Sequence, residues 1–333
     1  MKIKYILGID LAKLSFFYRL DDASGKRIAS GSWQNNPQDV IQFIEHLKTL
    51  LEGSLEQLHA GMESTGRCEA HLFPALQEAG ARVSIINPAQ IKFFAISLNR
   101  RGKNDPMDAA TIARFVRERQ PRATVPLTTS QGRLKEIVAE IDHLVAEGVR
   151  VGARLSEVGP ACREVASSLS RQKKFIDKQI AALETDILTL VQADQELAKE
   201  FKLLNSIPGI ANRTAARILA QLAGKDFQSA RQMAAYAGLT PRENTSGTSL
   251  KGKTRLSKQG NSKLRQALYM PALAFWHHCN EVKPWADAIA LRNHSKKSAL
   301  GAVMRKLMHV IFGVLKHHKP FNPACVSSPV CNA

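Results

Sequence analysis

Residues Tyr5-Ile6-Leu7-Gly8-Ile9-Asp10 decide how the N-terminal part of the chain is read. A short, unbroken apolar run fits a buried central strand, and the aspartate falls at its C-terminal end. The glycine two places earlier lets another backbone approach closely. Working outward, Ser15 to Leu20 and Lys26 to Trp33 flank Asp21-Asp22-Ala23-Ser24-Gly25, a turn-rich cluster joining two antiparallel strands. Pro37 stands near the start of a helical pattern through Val40, Ile41, Ile44, Leu47 and Leu51. A strand follows at Leu58 to Met62, then a helix through Leu72, Leu76 and Ala79, then a strand at Arg82 to Ile86. Asn87-Pro88 starts a helix ending near Leu98, and after a polar loop Asp105-Pro106 opens the next. The order β-β-β-α-β-α-β-α describes an α/β domain: a mixed sheet flanked by helices.

The rest of the composition names a partner. The chain has 333 residues, room for two domains, and 44% apolar with 23% charged residues excludes wholesale disorder. Lys and Arg number 47 against 29 Asp and Glu, a formal charge of +18 that concentrates phosphate polymers at the surface. Nucleic acid is the leading partner; a generally basic protein or a membrane-surface binder is the plainer alternative. Cys68, Cys162, Cys279, Cys325 and Cys331 are scattered, with no C-x-x-C pair, which argues against a disulfide framework and a zinc site and for free thiols in a reducing cytosol. Asp10 interrupts the first apolar run too early for a signal peptide, and no stretch reads as long enough for a membrane span. A soluble, cytoplasmic protein is expected.

From about Ser130 to Lys202 the pattern changes to long helices. Ile176, Ile180, Leu183, Ile187 and Leu190 step by four and three, as do Leu134, Ile137, Ile141 and Leu144, and Gly159-Pro160 separates the two runs. Spacing alone leaves an internal antiparallel helix pair and a dimerising coiled coil equally open. Ile207-Pro208-Gly209-Ile210-Ala211 then looks like the turn of a helix-hairpin-helix, where backbone N–H groups can meet a DNA phosphate. Ala211 replaces the usual second glycine, so a purely structural helical turn is an equal reading. Thr240 to Gly260 reads as a polar loop, followed by helices from about Ser262 to His278 and Ser298 to Lys316, and a loose tail after His318. The divisions are 1–125, 126–202, 203–318 and 319–333.

Four acids stand at element boundaries: Asp10, Glu63, Asp105 and Asp108. Carboxylates converging inside a basic protein suit a hard dication such as Mg²⁺ held against a polyanion. Each has a plainer reading. Glu63 in Met62-Glu63-Ser64-Thr65-Gly66 can simply lead into a helix cap, and Asp105 as N-cap, Pro106 as N1 and Asp108 as N3 stabilise a helix by roughly 1 kcal/mol without metal. Arg100, Arg101 and Lys103 form a basic loop ahead of that helix. Thr245-Ser246-Gly247-Thr248-Ser249 precedes Lys251, Lys253, Arg255 and Lys258, whose field could activate a serine or merely bind phosphate.

Taken together, Gly8-Ile9-Asp10, Met62-Glu63-Ser64-Thr65-Gly66, Lys103-Asn104-Asp105-Pro106-Met107-Asp108-Ala109, Ile207-Pro208-Gly209-Ile210, and Tyr236-Ala237-Gly238-Leu239-Thr240-Pro241-Arg242 through Ser246-Gly247 to Ser257-Lys258-Gln259-Gly260-Asn261 resemble, in order and spacing, the DEDD transposases of the "one-ten" insertion-sequence family, relatives of the Piv DNA invertases. The resemblance implies a RuvC-like, ribonuclease H-like N-terminal domain, a coiled-coil helical linker, and a mostly α-helical C-terminal transposase domain. It implies Mg²⁺ on Asp10, Glu63, Asp105 and Asp108, and Ser246 as the nucleophile that becomes phosphoserine, with Ser249 in reserve. Arg100, Arg101, Lys103, Arg242, Lys251, Lys253, Arg255 and Lys258 would hold nucleic acid. The implied partners are double-stranded DNA of the element ends and target, a noncoding guide RNA, and further copies of the chain as dimers pairing into a tetramer, in the cytoplasm at the nucleoid. A Holliday-junction resolvase-like nuclease, an invertase without RNA, and a basic architectural binder are the rivals.

Overall fold

The computed structural model describes residues 2–64, 66, 68–99, 104–159, 162–246 and 250–324; of residues 243–246 and 250–253 the backbone alone is described. The chain forms two compact units, Met1–Pro126 and Leu127–Ala333.

The first unit is built on five strands, β1 (Tyr5–Leu11), β2 (Ser15–Asp22), β3 (Arg27–Gln34), β4 (Leu58–Glu63) and β5 (Arg82–Ile86), in the order β3-β2-β1-β4-β5. β1 pairs antiparallel with β2 and parallel with β4; β4 pairs parallel with β5. The apolar run of β1 is therefore central, as its lack of polar breaks requires. Helices α1 (Pro37–Leu50) and α2 (Leu72–Glu78) cover one face, where Leu7, Ile9, Phe16, Phe43, Leu47, Leu72 and Met62 share a core. The opposite face meets α3 (Pro88–Ser97) and α4 (Asp105–Arg119) through Ile6, Ile86, Phe94, Ile112 and Val116. Asn36 and Asn87 cap α1 and α3, each followed by a proline in the first turn. α4 corrects an expectation: its N-cap is Asn104, whose side chain accepts from the Met107 N–H, so Asp105 is the first helical residue rather than the cap. An amide oxygen serves the orphan N–H as well as a carboxylate, which leaves Asp105 to face outward.

The second unit begins with α5 (Thr129–Glu157) and α6 (Arg163–Ala193), which pack on one another through Leu144, Val151, Leu169 and Ile176. The heptad-like spacing thus builds an internal antiparallel hairpin. Leu134, Val138, Ile141, Ile187 and Leu190, at the other end of the pair, join the core of the following helices: α7 (Gln195–Asn205), α8 (Asn212–Leu222), α9 (Ala230–Tyr236), α10 (Ser262–Ala267), α11 (Tyr269–His278), α12 (Lys283–Arg292) and α13 (Lys296–His317). The single helix read from Ser262 to His278 is two, because Pro271 has no N–H to give the carbonyl four residues earlier and the ladder breaks at Leu268. α13 is, by length and composition, apolar enough to cross a membrane, against the expectation that no stretch would be. Here it is a core helix, with Val303, Leu307, Met308 and Ile311 buried against α7, α9, α11 and α12. The start of the tail is held rather than loose: the Phe321 N–H donates to Ser206 Oγ at 2.8 Å and its ring stands edge-on to Phe275.

The polar stretch expected to be a loop contains a two-stranded antiparallel hairpin, β6 (Pro241–Ser246) and β7 (Leu250–Leu256). Turn-forming residues dominate its composition and hide the strands, but in β7 Leu250, Thr254 and Leu256 alternate with Lys251, Lys253 and Arg255, the period of a strand with one apolar face. Leu256 packs toward Gly301 of α13.

Candidate functional site

Glycines at register-matched positions set how close α4, which carries Asp105 and Asp108, comes to the strands that carry Asp10 and Glu63. Gly8 pairs with Gly61 across β1 and β4. A Cβ at Gly8 would collide with the Ala109 carbonyl and the Ala113 nitrogen of α4, and one at Gly61 with the Val116 side chain. α4 therefore lies directly on the sheet. Its direction follows from the other end, where Gly25, in the turn joining β2 and β3, abuts the Arg117 guanidinium. Asp22 is paired with Tyr5, so the C-terminal end of α4 lies at the start of β1 and its N-terminal end at the finish of β1.

Side chains two apart on a strand share a face. Asp10 and Glu63, each two beyond one of the paired glycines, point to the α4 side at the ends of neighbouring parallel strands. Two strand residues span ~6.6 Å, the rise of about four helical residues, so Asp10 stands level with the first turn of α4. Asp105 and Asp108 occupy that turn, three apart on one helical face. Asp10, Glu63 and Asp108 are half-buried and Asp105 is exposed. Sequence spacing missed Asn35, whose amide donates to the Ala12 and Cys68 carbonyls at 3.1 and 2.8 Å and so ties together the segments that follow β1, β3 and β4. Its Oδ1 is buried with no hydrogen-bond partner among the described residues.

The far end of α4 is pinned by a buried pair on the same sheet face. His59 Nε2 lies 2.8 Å from Ser84 Oγ, which donates in turn to the Arg122 carbonyl at 2.8 Å. Burial, helped by the nearby Arg82, pushes the His59 pKa down from 6.5 to about 4, so the ring is a neutral donor. Thr124 closes the segment onto β5, accepting from the Ile85 N–H and donating its own N–H to the Val83 carbonyl.

Hard oxygen donors gathered at one sheet end fit a divalent ion in chemistry and in backbone placement. Among the described residues, however, no three His, Cys, Asp or Glu side chains are drawn close enough to hold one. Arg100, Arg101 and Lys103 lie outside the described residues, as does Ser249.

Ser246 belongs to the second unit, where it ends β6 opposite Leu250. The root of its hairpin is tightly bound: Ser257 N–H donates to the Thr240 carbonyl, Lys258 N–H to Gly238, and Asn261 N–H to Tyr236. Gly260, at φ +140°, leaves no room for a Cβ beside the Tyr236 carbonyl. Asn261 caps α10 and reaches Gln221 and the Tyr236 hydroxyl with its amide. Arg265 and Arg305 donate to the Ala237 and Leu239 carbonyls. Arg242, Arg255 and Lys258 are exposed around this root, while Lys251 and Lys253 lie on β7. Gly209, at φ +89° beside Pro271 and Ala274 of α11, gives the Pro-Gly turn a packing role of its own.

A mixed sheet with acids at its strand ends and in the first turn of an adjacent helix, joined in one chain to a hairpin rich in Lys and Arg, suits the class of nucleic-acid strand-processing enzymes. Residues 7–158 match the IS110-type DEDD family described as Transposase, and residues 201–288 match the Transposase IS116/IS110/IS902 family. The chain carries both transposase domains of the IS110 family and is a DNA-recombination enzyme of that family. It is 28% identical to the pilin gene-inverting protein of Moraxella bovis over 326 residues, 96% of this chain and 98% of that one. It is 25% identical to the transposase for insertion sequence element IS1328 of Yersinia enterocolitica, over 93% and 96% of the two chains. Against the transposase for insertion sequence element IS1111A of Coxiella burnetii the identity is 24%, over 96% and 92%.

Proposed function

We propose that the protein breaks and rejoins double-stranded DNA at the ends of a mobile element and its target, with Asp10, Glu63, Asp105 and Asp108 as the acidic centre and Ser246 as the nucleophile. The observation that carries this reading is the close approach of α4, with Asp105 and Asp108 in its first turn, to Gly8 and Gly61 on the strands that bear Asp10 and Glu63. The strand order, with an antiparallel β1-β2-β3 meander and parallel β4 and β5, supports the ribonuclease H-like, RuvC-like assignment. Mg²⁺ bound by the four carboxylates would offset charge on the phosphoryl oxygens. Ser246 Oγ attacks the scissile phosphorus, the bond to the departing deoxyribose oxygen breaks, and that oxygen takes up a proton as the serine loses one. Attack by a deoxyribose hydroxyl on the phosphoserine reverses the exchange and restores serine, so the phosphoester bond is conserved and no ATP is needed. Arg242, Lys251, Lys253, Arg255 and Lys258 on the hairpin, with Arg100, Arg101 and Lys103 ahead of α4, hold the backbone phosphates. Acids and serine come from different units, which suits assembly of the centre across protomers of a dimer or tetramer. Guidance by a noncoding RNA rests on the family resemblance, as does action in the cytoplasm on nucleoid DNA.

The pilin gene-inverting relative, matched over nearly its whole length, favours a second reading in which the same chemistry inverts a segment. Both predict a protein–DNA adduct that survives denaturation, formed by the parent chain and absent from Ser246→Ala. Free nicked DNA from both proteins would instead establish a resolvase-like nuclease, and intact DNA from both an architectural binder.

A further inference from the structure

A cleft in the second unit lies between α11, α12 and the start of α13, with a volume of about 430 Å³. One wall is aromatic. Tyr269, Leu273 and Trp276 recur at helical spacing along α11, and Tyr269 is half-exposed, an unusual place for a large ring with no core to fill. Trp276 is held fixed, its indole N–H donating to Asp287 Oδ1 at 2.9 Å. That bond occupies an oxygen of the one acid in the lining.

The facing wall is cationic. Lys283 comes from α12, and Lys296 and Lys297 form the first turn of α13, whose N-cap is Ser295. Lysines at a helix N-terminus add to the positive end of the dipole, an arrangement that costs stability unless an anion sits there. The three lysines and one aspartate leave the lining with a net charge of +2, by subtraction of one from three. A flat ring beside concentrated positive charge matches the two halves of a nucleotide, a π-face and a phosphate. A duplex keeps its bases stacked inside and cannot offer the first.

We propose that this cleft binds an unpaired nucleotide of a single-stranded polynucleotide, its base stacked on Tyr269 and its phosphate held by Lys296 and Lys297. The cleft uses none of the four acids and no residue of the serine hairpin. It therefore stands or falls separately from the cleavage chemistry.

Full-length protein titrated with fluorescein-labelled oligothymidylate, oligouridylate and a mixed-sequence duplex, read by anisotropy, tests it. Tyr269→Ala lowers affinity for single strands about tenfold and leaves duplex affinity unchanged, because one stacked base contributes about 1–3 kcal/mol. Tyr269→Phe restores it, and a Lys296→Gln, Lys297→Gln double variant weakens single-strand binding with a shallower salt dependence. Preference for the thymidine or the uridine strand assigns the ligand to DNA or RNA. Halogenated-uracil oligomers crosslink to Tyr269 or Trp276. No single-strand binding by the parent, equal affinity in parent and Tyr269→Ala, or parallel loss for duplex and single strand overturns the proposal. The duplex arm and the covalent-adduct assay report on cleavage independently.

Discussion

The end of the sheet that carries the acids and the hairpin that carries Ser246 are held in opposite ways. At the acids, position is set from beneath: backbone of α4 comes against Gly8 of β1, and the Val116 side chain of α4 fills the space that Gly61 of β4 leaves. At the hairpin, the described contacts are at the root, where Gly238, Thr240, Tyr236 and three polar side chains lock the strands' bases, and Ser246 is the last residue of its strand. A centre that orients charge gains from rigidity, and a nucleophile that must reach a phosphate gains from a firmly set base to its hairpin. The division predicts that substitutions in the first region act on fold and chemistry together, and those in the second on chemistry with little loss of fold.

The sharpest break in that contrast comes from Asp10→Asn. It removes one carboxylate at nearly constant volume, and strand cleavage should fall about a thousandfold on the usual scale for losing a charge-stabilising group. Next is Gly8→Ala, whose methyl meets backbone that cannot rotate away. About 3 kcal/mol of stability should be lost, the upper end for overpacking, and chemical denaturation would measure it. If Gly8→Ala folds as stably as the parent, α4 does not lie on the sheet as described.

A smaller effect comes from His59. A neutral buried ring costs nothing above pH 6.5, but the unfolded chain gains a proton as pH falls from 6.5 toward 4 while the folded chain does not. Stability should fall by about 2 kcal/mol between pH ~6.5 and ~4.5. His59→Gln, which keeps a donor for Ser84, should flatten that slope relative to the parent. The mildest is Asn261→Ala, which removes the cap of α10 and the bonds to Gln221 and Tyr236. It should cost about 1–2 kcal/mol and reduce adduct formation at Ser246 more than it reduces DNA binding, since the root is what aims the hairpin.

The two regions were also unequally legible. Tyr5 to Asp10 and Leu58 to Glu63 declare themselves because central strands are largely apolar on both faces, and the acid near the end of each interrupts the pattern where the chain leaves the core; Arg82 to Ile86, at the sheet edge, is marked by its apolar residues and the Asn87-Pro88 that follow. Spacing alone could not reveal that Gly8 and Gly61 are partners, because register is a long-range property. Asn104 was hidden as the cap by the adjacent Asp105, of equal capping strength. In the second unit, β6 and β7 are concealed by Gly, Ser, Thr and Lys, whose strand signal is only the alternation of Leu250, Thr254 and Leu256. The split at Leu268 was written in Pro271, and α12 is too short and too evenly mixed to show a helical stripe.

If Asp10, Glu63, Asp105 and Asp108 take one divalent ion, as proposed, Mn²⁺ titration of the full chain, followed by electron paramagnetic resonance, detects it without DNA. One saturable site in the parent and in Ser246→Ala, lost in Asp10→Asn and in Glu63→Gln, is the predicted result. Unchanged Mn²⁺ binding in both acid variants would contradict the account.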